Sequence, residues 1–356
     1  MKINFIVPSA GKSGGMQVIF KYAYELEKRG HIVNIYMPII PYALKRMNIF
    51  RKCLYTFPRV VLNIYRFKIL NKPKKVCDKV NWKPVLKINN NYISDADVVI
   101  ATAWPTAFDV ARLSPEKGKK YYFIQGYEIW DDKEKGEDSY RLNLRKIVIA
   151  DWIKTKIAAL GVDTLDIITI NNGIDFSMYD KKRHYNSSEK FRFLMLDHHL
   201  EKKGVKYGVR AYERIKKQYP DVSLKMFGLH RSENVPDNVD FYENPSRETI
   251  VDLYNRSDIF IFPSIEEGWG LTVVEAMASG CGIVGTNVGC LSDVGIHGSN
   301  CLKSKPKDIS EMVKNIELLM NDNKLYKHIC KEGKQTVRNL DWNVSIDKFE
   351  ATLRNW

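Results

Sequence analysis

The chain alternates buried strands with amphipathic helices, and this alternation limits its possible folds more than any other feature of the sequence. The apolar run INFIV (residues 3–7) precedes a Gly14-Gly15 turn and the helical pattern MQVIFKYAYELEKRG, after which the second apolar run HIVNIYM begins. Parallel strands need a crossover connection, so a strand, helix and strand in this order favour a parallel sheet. The sequence therefore predicts an α/β fold that opens with a β-turn-α-β unit.

The same alternation restarts after a polar, turn-rich stretch, residues 171–190, which we interpret as a linker. Strands are predicted before it at 96–103, 120–125, 146–150 and 166–175, and after it at 191–196, 223–228, 258–264 and 281–287, with a helix at 205–219. Two doubly wound domains of similar size account for this order, with boundaries at 1–172 and 173–339. Ligands of such sheets bind beyond the carboxyl ends of the strands, so we expect the site in a cleft between the domains.

The composition excludes several classes of protein. Hydrophobic residues make up 44% of the 356 positions and aromatic residues 12%, which excludes a largely disordered chain. We find no apolar run long enough for a spanning helix and no core of signal-peptide length at the start. The six cysteines lack C-x-x-C spacing, so neither a zinc site nor a disulfide framework is indicated. These features predict a cytoplasmic protein with reduced thiols.

Positive charge is concentrated in one segment. The net charge is +14, and residues 43–83 carry twelve lysines or arginines against the single acid Asp78, interleaved with aromatic and aliphatic residues. A basic, apolar stretch of this kind suits an anionic membrane surface. Nucleic acid attracts the same charges, and a solvated loop that partly plugs the core is the structural alternative. Pro58 interrupts any single long helix here.

The loop SIEEGWGLTVVEAMASG (residues 264–280) combines glycines, acids and a helix start. Gly268 and Gly270 free the backbone, and the first N–H groups of the following helix are donors that suit a diphosphate. Carboxylates such as Glu267 and Glu275 suit vicinal hydroxyl groups, which ribose and hexoses both carry. The loop therefore predicts a nucleotide-sugar site. Capping of the helix start is the alternative for Glu267, but it does not explain Glu275, which lies further along within an apolar helix.

Other loops offer weaker signals. Glycines at 14 and 15 let the backbone approach a ligand, although such a pair also serves as a plain tight turn. Lys203, at the next strand-to-helix turn, can neutralise a leaving diphosphate or simply lie on the surface. His198 and His199 have no third ligand at a sensible spacing, so we expect no metal site. No Ser-His-Asp order or amidase-type cysteine signature supports hydrolase chemistry.

These residues resemble the family 4 retaining glycosyltransferases, which have the GT-B fold of two Rossmann-like domains facing across a cleft. The motif that carries the resemblance is E-x7-E, here Glu267 to Glu275 within EGWGLTVVEAMASG. GGMQVIFKYAYELEKRGHIVNIY, the NNGID turn, KKG and VGCLSDVGIHGSNCL are similar to family segments in the same order. The final segment, 340–356 with Trp342, resembles the helix that crosses back to the first domain.

The resemblance implies a role for each matching residue. Glu267 and Lys203 would be catalytic, with Glu267 on the hydroxyls of the transferred sugar and Lys203 on the diphosphate. Donor contacts would come from Gly15, Gly268, Trp269, Gly270, Leu271 and Thr272, with Glu275 on the ribose hydroxyls of the nucleotide. The family needs no metal and no cofactor beyond its nucleotide-sugar substrate. Its reaction retains the anomeric configuration.

The chain departs from the family pattern in two places. An arginine usually precedes the lysine, whereas this chain has LDHHLEKKG, so a protonated His198, or Arg231 from another loop, would take its place. Many members also have a histidine after the DVV strand, where this chain has DVVIATAWPTAFDV. That segment and YYFIQGYEIW are similar to a branch with rhamnosyltransferases of bacterial surface polysaccharides. The acceptor contacts expected from it, together with the first glycine, are Gly14, Trp104, Thr106, Gln125 and Glu128, although Trp104 also fits a core position.

The sequence therefore predicts a glycosyltransferase that moves a sugar from a dTDP-rhamnose, UDP-sugar or GDP-sugar donor to a glycan or lipid-linked saccharide. The basic segment would hold the enzyme to the inner face of the cell membrane, and no nucleic-acid partner is expected. A sugar-nucleotide epimerase or a glycan phosphorylase of the same fold remains an alternative. So does a non-catalytic module that binds glycan or membrane.

Overall fold

A computed structural model describes residues 1–9, 14–39, 42, 80–179 and 190–355 of the chain. The chain divides into two compact units, one comprising 1–171 with 346–356 and the other comprising 172–345. The predicted basic segment lies almost entirely outside the described residues, since only its last positions, from residue 80 onward, are described. None of the helices among the described residues is both long and apolar enough to span a bilayer.

The first unit contains a seven-stranded parallel sheet in the order β3-β2-β1-β4-β5-β6-β7. Its strands are β1 (Lys2–Ile6), β2 (Ile32–Pro38), β3 (Asn81–Val85), β4 (Val98–Ala101), β5 (Lys119–Ile124), β6 (Arg145–Val148) and β7 (Ile168–Thr169). Its helices are α1 (Gly14–Lys28), α2 (Trp104–Ala111), α3 (Lys133–Ser139) and α4 (Asp151–Ala158). The strand order reverses between β1 and β4, and ligands of such sheets commonly bind at a reversal of this kind.

The second unit contains a six-stranded parallel sheet in the order β10-β9-β8-β11-β12-β13. Its strands are β8 (Arg192–Leu196), β9 (Ser223–Gly228), β10 (Asp240–Glu243), β11 (Ile259–Phe262), β12 (Gly282–Thr286) and β13 (Leu302–Ser304). Its helices are α5 (Phe176–Tyr179), α6 (Val205–Gln218), α7 (Arg247–Asn255), α8 (Leu271–Ala278), α9 (Cys290–Asp293), α10 (Ile309–Asn321) and α11 (Asn323–Arg338). Here the order reverses between β8 and β11.

Alternate strand residues build the core of each unit. Phe193 and Met195 of β8 and Ile259 and Ile261 of β11 face one apolar cluster, which α6, α10 and α11 complete. Both faces of the central strands are buried, which is why these strands read as continuous apolar runs in the sequence. The predicted α/β class and the doubly wound, Rossmann-like sheets are confirmed.

The last helix, α12 (Trp342–Arg354), begins in the second unit, and its residues from Ile346 onward belong to the first. Phe349 packs against Phe5, Tyr22 and Phe123 of the first unit. Glu350 pairs there with Arg29, Nη1 to Oε2 at 2.8 Å, and hydrogen bonds from Arg29 lower the pKa of Glu350 to about 2. This packing explains why the helix keeps an apolar face as well as charged residues.

Two local predictions were wrong. Gly14 and Gly15 were expected to form a turn, but they are the first two residues of α1. The predicted linker at 171–190 contains α5, whose Tyr179 is fully buried, although residues 180–189 lie outside the described part of the chain. The NNGID turn packs tightly, because a Cβ on Gly173 would lie 2.5 Å from backbone atoms of Trp342. The polarity of the residues does not predict close backbone contacts of this kind.

Candidate functional site

Two loops meet where the strand order of the second unit reverses. One follows β8 and spans 197–204, and the other follows β11 and spans 263–270. The carbonyl of Lys202 accepts hydrogen bonds from the N–H groups of Ile265 (2.7 Å) and Glu266 (3.1 Å). Gly204 adopts a φ of +64°, and a Cβ there would lie 2.0 Å from the carbonyl oxygen of Pro263. Close backbone contact therefore fixes the two loops against each other.

This contact brings together Lys203 and Glu267, the two residues that the resemblance makes catalytic. Lys203 Nζ lies 2.5 Å from Glu267 Oε2, with the lysine side chain 19% exposed and the glutamate side chain 15% exposed. The pair is thus shielded but reachable from solvent. A lysine held by one carboxylate can exchange it for a phosphate oxygen, and the exchange would free Glu267 to accept hydroxyl groups.

The start of α8 supplies backbone donors beside this ion pair. Gly270 caps the helix in a left-handed conformation with φ +93°. Among the described residues, none accepts a hydrogen bond from the N–H groups of Gly270, Leu271 or Thr272. Gly289 packs so closely that a Cβ there would lie 3.0 Å from the Glu267 side chain. The free donors and the lysine together make this loop suitable for binding an anion.

The side chain of Trp269, which was predicted to contact the nucleotide-sugar donor, is not exposed on this loop. Its side chain is buried with 3% of its surface exposed, and its Nε1 has no hydrogen-bond partner among the described residues. Its carbonyl accepts the N–H of Cys290, so the residue also ties the loop to the start of α9. Contact between the Trp269 ring and the nucleotide-sugar donor stays a prediction. In the structure the ring packs in the interior of the protein.

Glu275 lies within the apolar helix α8 and has polar partners that the sequence reading did not identify. Its Oε1 is 2.8 Å from Arg247 Nη2, and its Oε2 accepts a hydrogen bond of 3.0 Å from the hydroxyl of Tyr254. Arg247 also lies 5.3 Å above the ring of Tyr179. Arg247 and Tyr254 are two turns apart on α7, so helical spacing places them on one face. Spacing could not show that this face meets Glu275.

The residues expected to replace the family arginine are occupied elsewhere. Asp197 is buried and accepts hydrogen bonds from the hydroxyl (2.6 Å) and the N–H (2.8 Å) of Ser232, which anchors the loop after β9. Arg231 Nη2 donates to the carbonyl of Pro236 within that same loop. His198 accepts the N–H of Leu200 through Nδ1. The arrangement thus leaves Lys203 as the cation at the ion pair.

The protonated state expected for His198 is not favoured by its surroundings. Burial lowers the pKa of His198 below its ordinary value of 6.5, and the positive charge of Lys203 lowers it further. The ring also stacks on His199, with centroids 4.6 Å apart. His198 is therefore neutral at pH 7 in the unliganded protein, because a second positive charge beside Lys203 is disfavoured.

In the first unit, the expected acceptor residues gather at the ends of β4 and β5. Gly15 faces the side chain of Gln125, since a Cβ on the glycine would lie 3.3 Å from Gln125 Oε1. That amide oxygen is buried and accepts no hydrogen bond from a described residue. A Cβ on Gly14 would meet no atom within 4 Å. Gly15 and Gln125 therefore lie together, and the buried amide oxygen of Gln125 has no hydrogen-bond partner among the described residues.

Thr106 and Glu128 form hydrogen bonds with backbone groups at the start of α2. The Thr106 hydroxyl is fully buried, accepts the N–H groups of Thr102 and Ala103, and donates to the Ala103 carbonyl. Glu128 Oε2 accepts the N–H of Trp104 at 2.8 Å. The hydroxyl of Thr106 is thus occupied by backbone groups, and an acceptor contact of this residue stays a prediction. Its hydroxyl caps the helix.

Trp104 is buried, as expected for a core position. Its indole Nε1 donates to the carbonyl of Trp130 at 3.0 Å, and the two rings lie 5.5 Å apart. Trp130 is 43% exposed, so it is the member of the pair that meets solvent. The sequence reading missed Trp130, although its position in the YEIW segment offered the signal.

The buried carboxyl of Glu128 should make the stability of the protein depend on pH. Burial raises the pKa of its carboxyl from 4.5 to about 8. The folded protein then holds a proton that the unfolded chain releases above pH 4.5, so stability falls as pH rises from about 4.5 to about 8. We expect Glu128→Gln to match the wild type near pH 5 and to exceed it by about 2–4 kcal/mol at pH 8. Urea unfolding across this range measures the difference, and parallel curves for the two proteins would contradict it.

Comparison with known proteins places this geometry in a family context. Residues 179–336 match the family described as Glycosyl transferases group 1. The capsular polysaccharide biosynthesis glycosyltransferase CapM of Staphylococcus aureus is 25% identical over 214 residues, which cover 54% of this chain and 56% of CapM. An N,N'-diacetylbacillosaminyl-diphospho-undecaprenol alpha-1,3-N-acetylgalactosaminyltransferase of Campylobacter jejuni is 31% identical over 105 residues, covering 29% of this chain and 28% of that enzyme. The matched part of CapM is thus about half its length.

The fold is shared over the whole chain with solved structures. Anabaena Alr3699/HepE, in complex with UDP and glucose, matches with a TM-score of 0.72 at 15% identity, covering 100% of both chains. The match confirms the predicted fold of GT-B glycosyltransferases. The resemblance that E-x7-E carried in the sequence is confirmed by the family match, whose residues include both glutamates.

Proposed function

We propose that the chain is a glycosyltransferase of polysaccharide biosynthesis, and the match of residues 179–336 to the family described as Glycosyl transferases group 1 supports this proposal. Its donor is a nucleotide sugar, and its acceptor is a glycan or a lipid-linked saccharide. The observation that carries this proposal is the Lys203–Glu267 ion pair beside the free N–H groups that begin α8. Positive groups for a diphosphate and a carboxylate for hydroxyls lie there within one loop.

The donor would bind with its diphosphate at Lys203 and at the N–H groups of Gly270, Leu271 and Thr272. When a phosphate oxygen replaces Glu267 as the partner of Lys203, the glutamate becomes free to accept hydrogen bonds from hydroxyl groups of the transferred sugar. The C–O bond to the diphosphate then breaks while the acceptor oxygen attacks the same face of the sugar. The leaving phosphate accepts the acceptor proton, and the anomeric configuration is retained. The protein contributes positioning and stabilisation of negative charge on the leaving group.

Lys203 and the backbone donors supply the positive charge in this scheme, so we propose that transfer needs no metal. A UDP-sugar is the donor that the comparisons favour, because the Anabaena protein of the same fold was solved with UDP and glucose. The dTDP-rhamnose donor of the rhamnosyltransferase branch stays a second prediction. Gly15 from the first unit stays a predicted contact of the diphosphate.

Nucleotide binding is the first test of the proposal. We expect UDP, GDP or dTDP to stabilise the purified protein by about 2.7 kcal/mol at a concentration of 100 times its dissociation constant. Glu275→Ala should abolish this stabilisation, because it removes the expected ribose contact. Glu266→Ala is the matched control, since Glu266 is exposed and adjacent to the motif. Thermal shift measurements decide the matter. If none of the three nucleotides stabilises the wild type, the proposed function fails.

The acceptor is the less constrained part of the proposal. The Campylobacter relative is named for a diphospho-undecaprenol acceptor, which supports a lipid-linked saccharide here. Gln125 in the first unit has a buried amide oxygen without a hydrogen-bond partner among the described residues, and Trp130 has an exposed aromatic ring; these groups suit a sugar hydroxyl and a sugar face. Gly14, Trp104 and Glu128 stay predicted contacts.

We also propose that the protein is cytoplasmic and attaches to the inner face of the membrane through the basic segment at 43–83. We expect replacement of its lysines by glutamine to reduce recovery with vesicles that contain anionic lipid, because each basic residue near such a surface contributes about 1 kcal/mol. Sedimentation with anionic and neutral vesicles measures the effect. Equal recovery of variant and wild type would refute membrane attachment by this segment, and binding to random duplex DNA would revive a nucleic-acid partner.

A further inference from the structure

The carboxylate of Glu275 is held on both oxygens by the protein. The residue is 6% exposed, in a helix whose other buried residues are apolar. Arg247 Nη2 lies 2.8 Å from Oε1, and the Tyr254 hydroxyl donates to Oε2 at 3.0 Å. The two partners lie at opposite ends of α7, so one rigid helix sets the position of the whole carboxylate.

The charge of Glu275 at this depth depends on Arg247. A buried carboxylate without a partner is strongly disfavoured, and among the described residues Arg247 is the cation within ion-pair distance of it. The surrounding titratable groups are Tyr254 and Tyr179. Burial raises the pKa of both, and the negative charge of Glu275 raises it further, so neither phenol can supply a positive charge or lose its proton at neutral pH.

The same contacts leave acceptor positions on the Glu275 oxygens for further hydrogen-bond donors. A carboxylate has about four acceptor positions, and Arg247 and Tyr254 take one on each oxygen. One position therefore remains on each oxygen, side by side, which suits a pair of vicinal hydroxyl groups. The buried hydroxyl of Tyr179 lies close enough to Glu275 for the carboxylate to raise the pKa of this phenol. Its ring lies under the guanidinium, with 5.3 Å between Arg247 Cζ and the ring centroid.

We propose that Arg247 is a positioning residue which, with Tyr254, holds the Glu275 carboxylate in a fixed orientation so that the site selects ribonucleoside diphosphates over their 2′-deoxy counterparts. The inference rests on the proposed nucleotide-sugar function and assigns Arg247 a role in it. A 2′-deoxyribose offers one hydroxyl instead of two. One oxygen of the desolvated carboxylate then stays unpaired, which a site built for hydrogen bonds penalises strongly.

The test compares UDP with 2′-deoxy-UDP, and GDP with 2′-deoxy-GDP, by calorimetry on the full chain. We expect the wild type to bind the ribonucleotide about 10- to 100-fold more tightly than its deoxy partner. Arg247→Met should bring this ratio close to one at pH 7, and Arg247→Lys should restore most of it. Arg256→Met is the matched control, because Arg256 directly follows the same helix and forms an exposed ion pair with Asp252 of that helix. It should leave the ratio unchanged.

The conservative variant separates positioning from a purely structural role. Arg247→Lys keeps a cation beside the Glu275 carboxylate, so it should regain the preference for the ribonucleotide that Arg247→Met loses. A residue needed only for folding would instead lower the melting temperature and weaken both nucleotides equally. Tyr254→Phe, which keeps the ion pair, should lower the ratio less than Arg247→Met does.

The outcomes are distinguishable. A wild type that binds nucleotide without distinguishing ribose from deoxyribose overturns the role of Glu275 and Arg247, while the proposed function stands. An Arg247→Met variant that folds and keeps the wild-type ratio overturns the role of Arg247 alone. A wild type that binds none of the four nucleotides refutes the proposed function, and the inference falls with it. Preference for a deoxynucleotide contradicts the inference and favours a dTDP-sugar donor.

Discussion

Lys203→Ala is expected to slow sugar transfer by about 10²–10³-fold, the usual cost of removing one preorganised group that stabilises developing negative charge. Lys203 is the cation of the ion pair with Glu267, and His198 beside it is neutral at pH 7 because its pKa is lowered. The departing diphosphate would therefore lose its main positive partner. Release of nucleoside diphosphate from the donor that stabilises the protein measures the rate.

Lys202→Ala is the control for this experiment. Lys202 is adjacent, and it joins the two loops through its backbone carbonyl, which alanine retains. Its variant should transfer sugar at the wild-type rate. If the two variants slowed transfer equally, Lys203 would have no special part in catalysis. Urea unfolding of both variants separates a catalytic effect from a loss of folded protein.

Gly204→Ala is expected to destabilise the second unit by about 3 kcal/mol or more and to abolish nucleotide binding. A left-handed residue other than glycine costs about 1–2 kcal/mol by itself. The new Cβ would also lie 2.0 Å from the carbonyl oxygen of Pro263, a backbone atom that cannot rotate away. The loops after β8 and β11 must then separate, and Lys203 moves away from Glu267. Urea unfolding and the nucleotide thermal shift measure the two effects.

Gly298→Ala isolates the backbone strain from the clash. Gly298 lies in the same unit with φ +80°, and a Cβ there would meet no atom within 4 Å. Its variant should lose only about 1–2 kcal/mol and keep nucleotide binding. Equal losses for the two variants would show that the contact between Gly204 and Pro263 contributes nothing to the site.

The predicted and observed folds differ mainly at the sheet edges. The central strands were found because both faces of each are buried, which produces unbroken apolar runs such as IFIF in β11. The edge strands β3, β10 and β13 were missed. β3 reads NWKPV and is partly exposed, and its proline is tolerated because an edge strand pairs on one side. A short strand of this kind has no local signal that distinguishes it from a loop.

The candidate site shows the same division. Glu267 and Lys203 were identified from the sequence, since each stands at a strand-to-helix turn where glycine frees the backbone. Asp197 precedes the histidine that was expected to replace the family arginine, and it anchors the loop after β9 through Ser232. Thr106 was predicted to contact the acceptor, and in the structure its hydroxyl caps α2. In both cases a polar residue in a loop serves the backbone, and only its partners distinguish that role from ligand binding.

The linear order of the chain was enough to predict the two α/β repeats and to single out the E-x7-E loop. These features depend on local periodicity and on the chemistry of a helix start, which a few adjacent residues encode. Tertiary structure decided the rest. Arg247 and Tyr254 reach Glu275 from a different helix, and Gly204 accommodates a carbonyl 59 residues away at Pro263. Such contacts depend on how elements pack, and no pattern along the sequence records which side chains will meet.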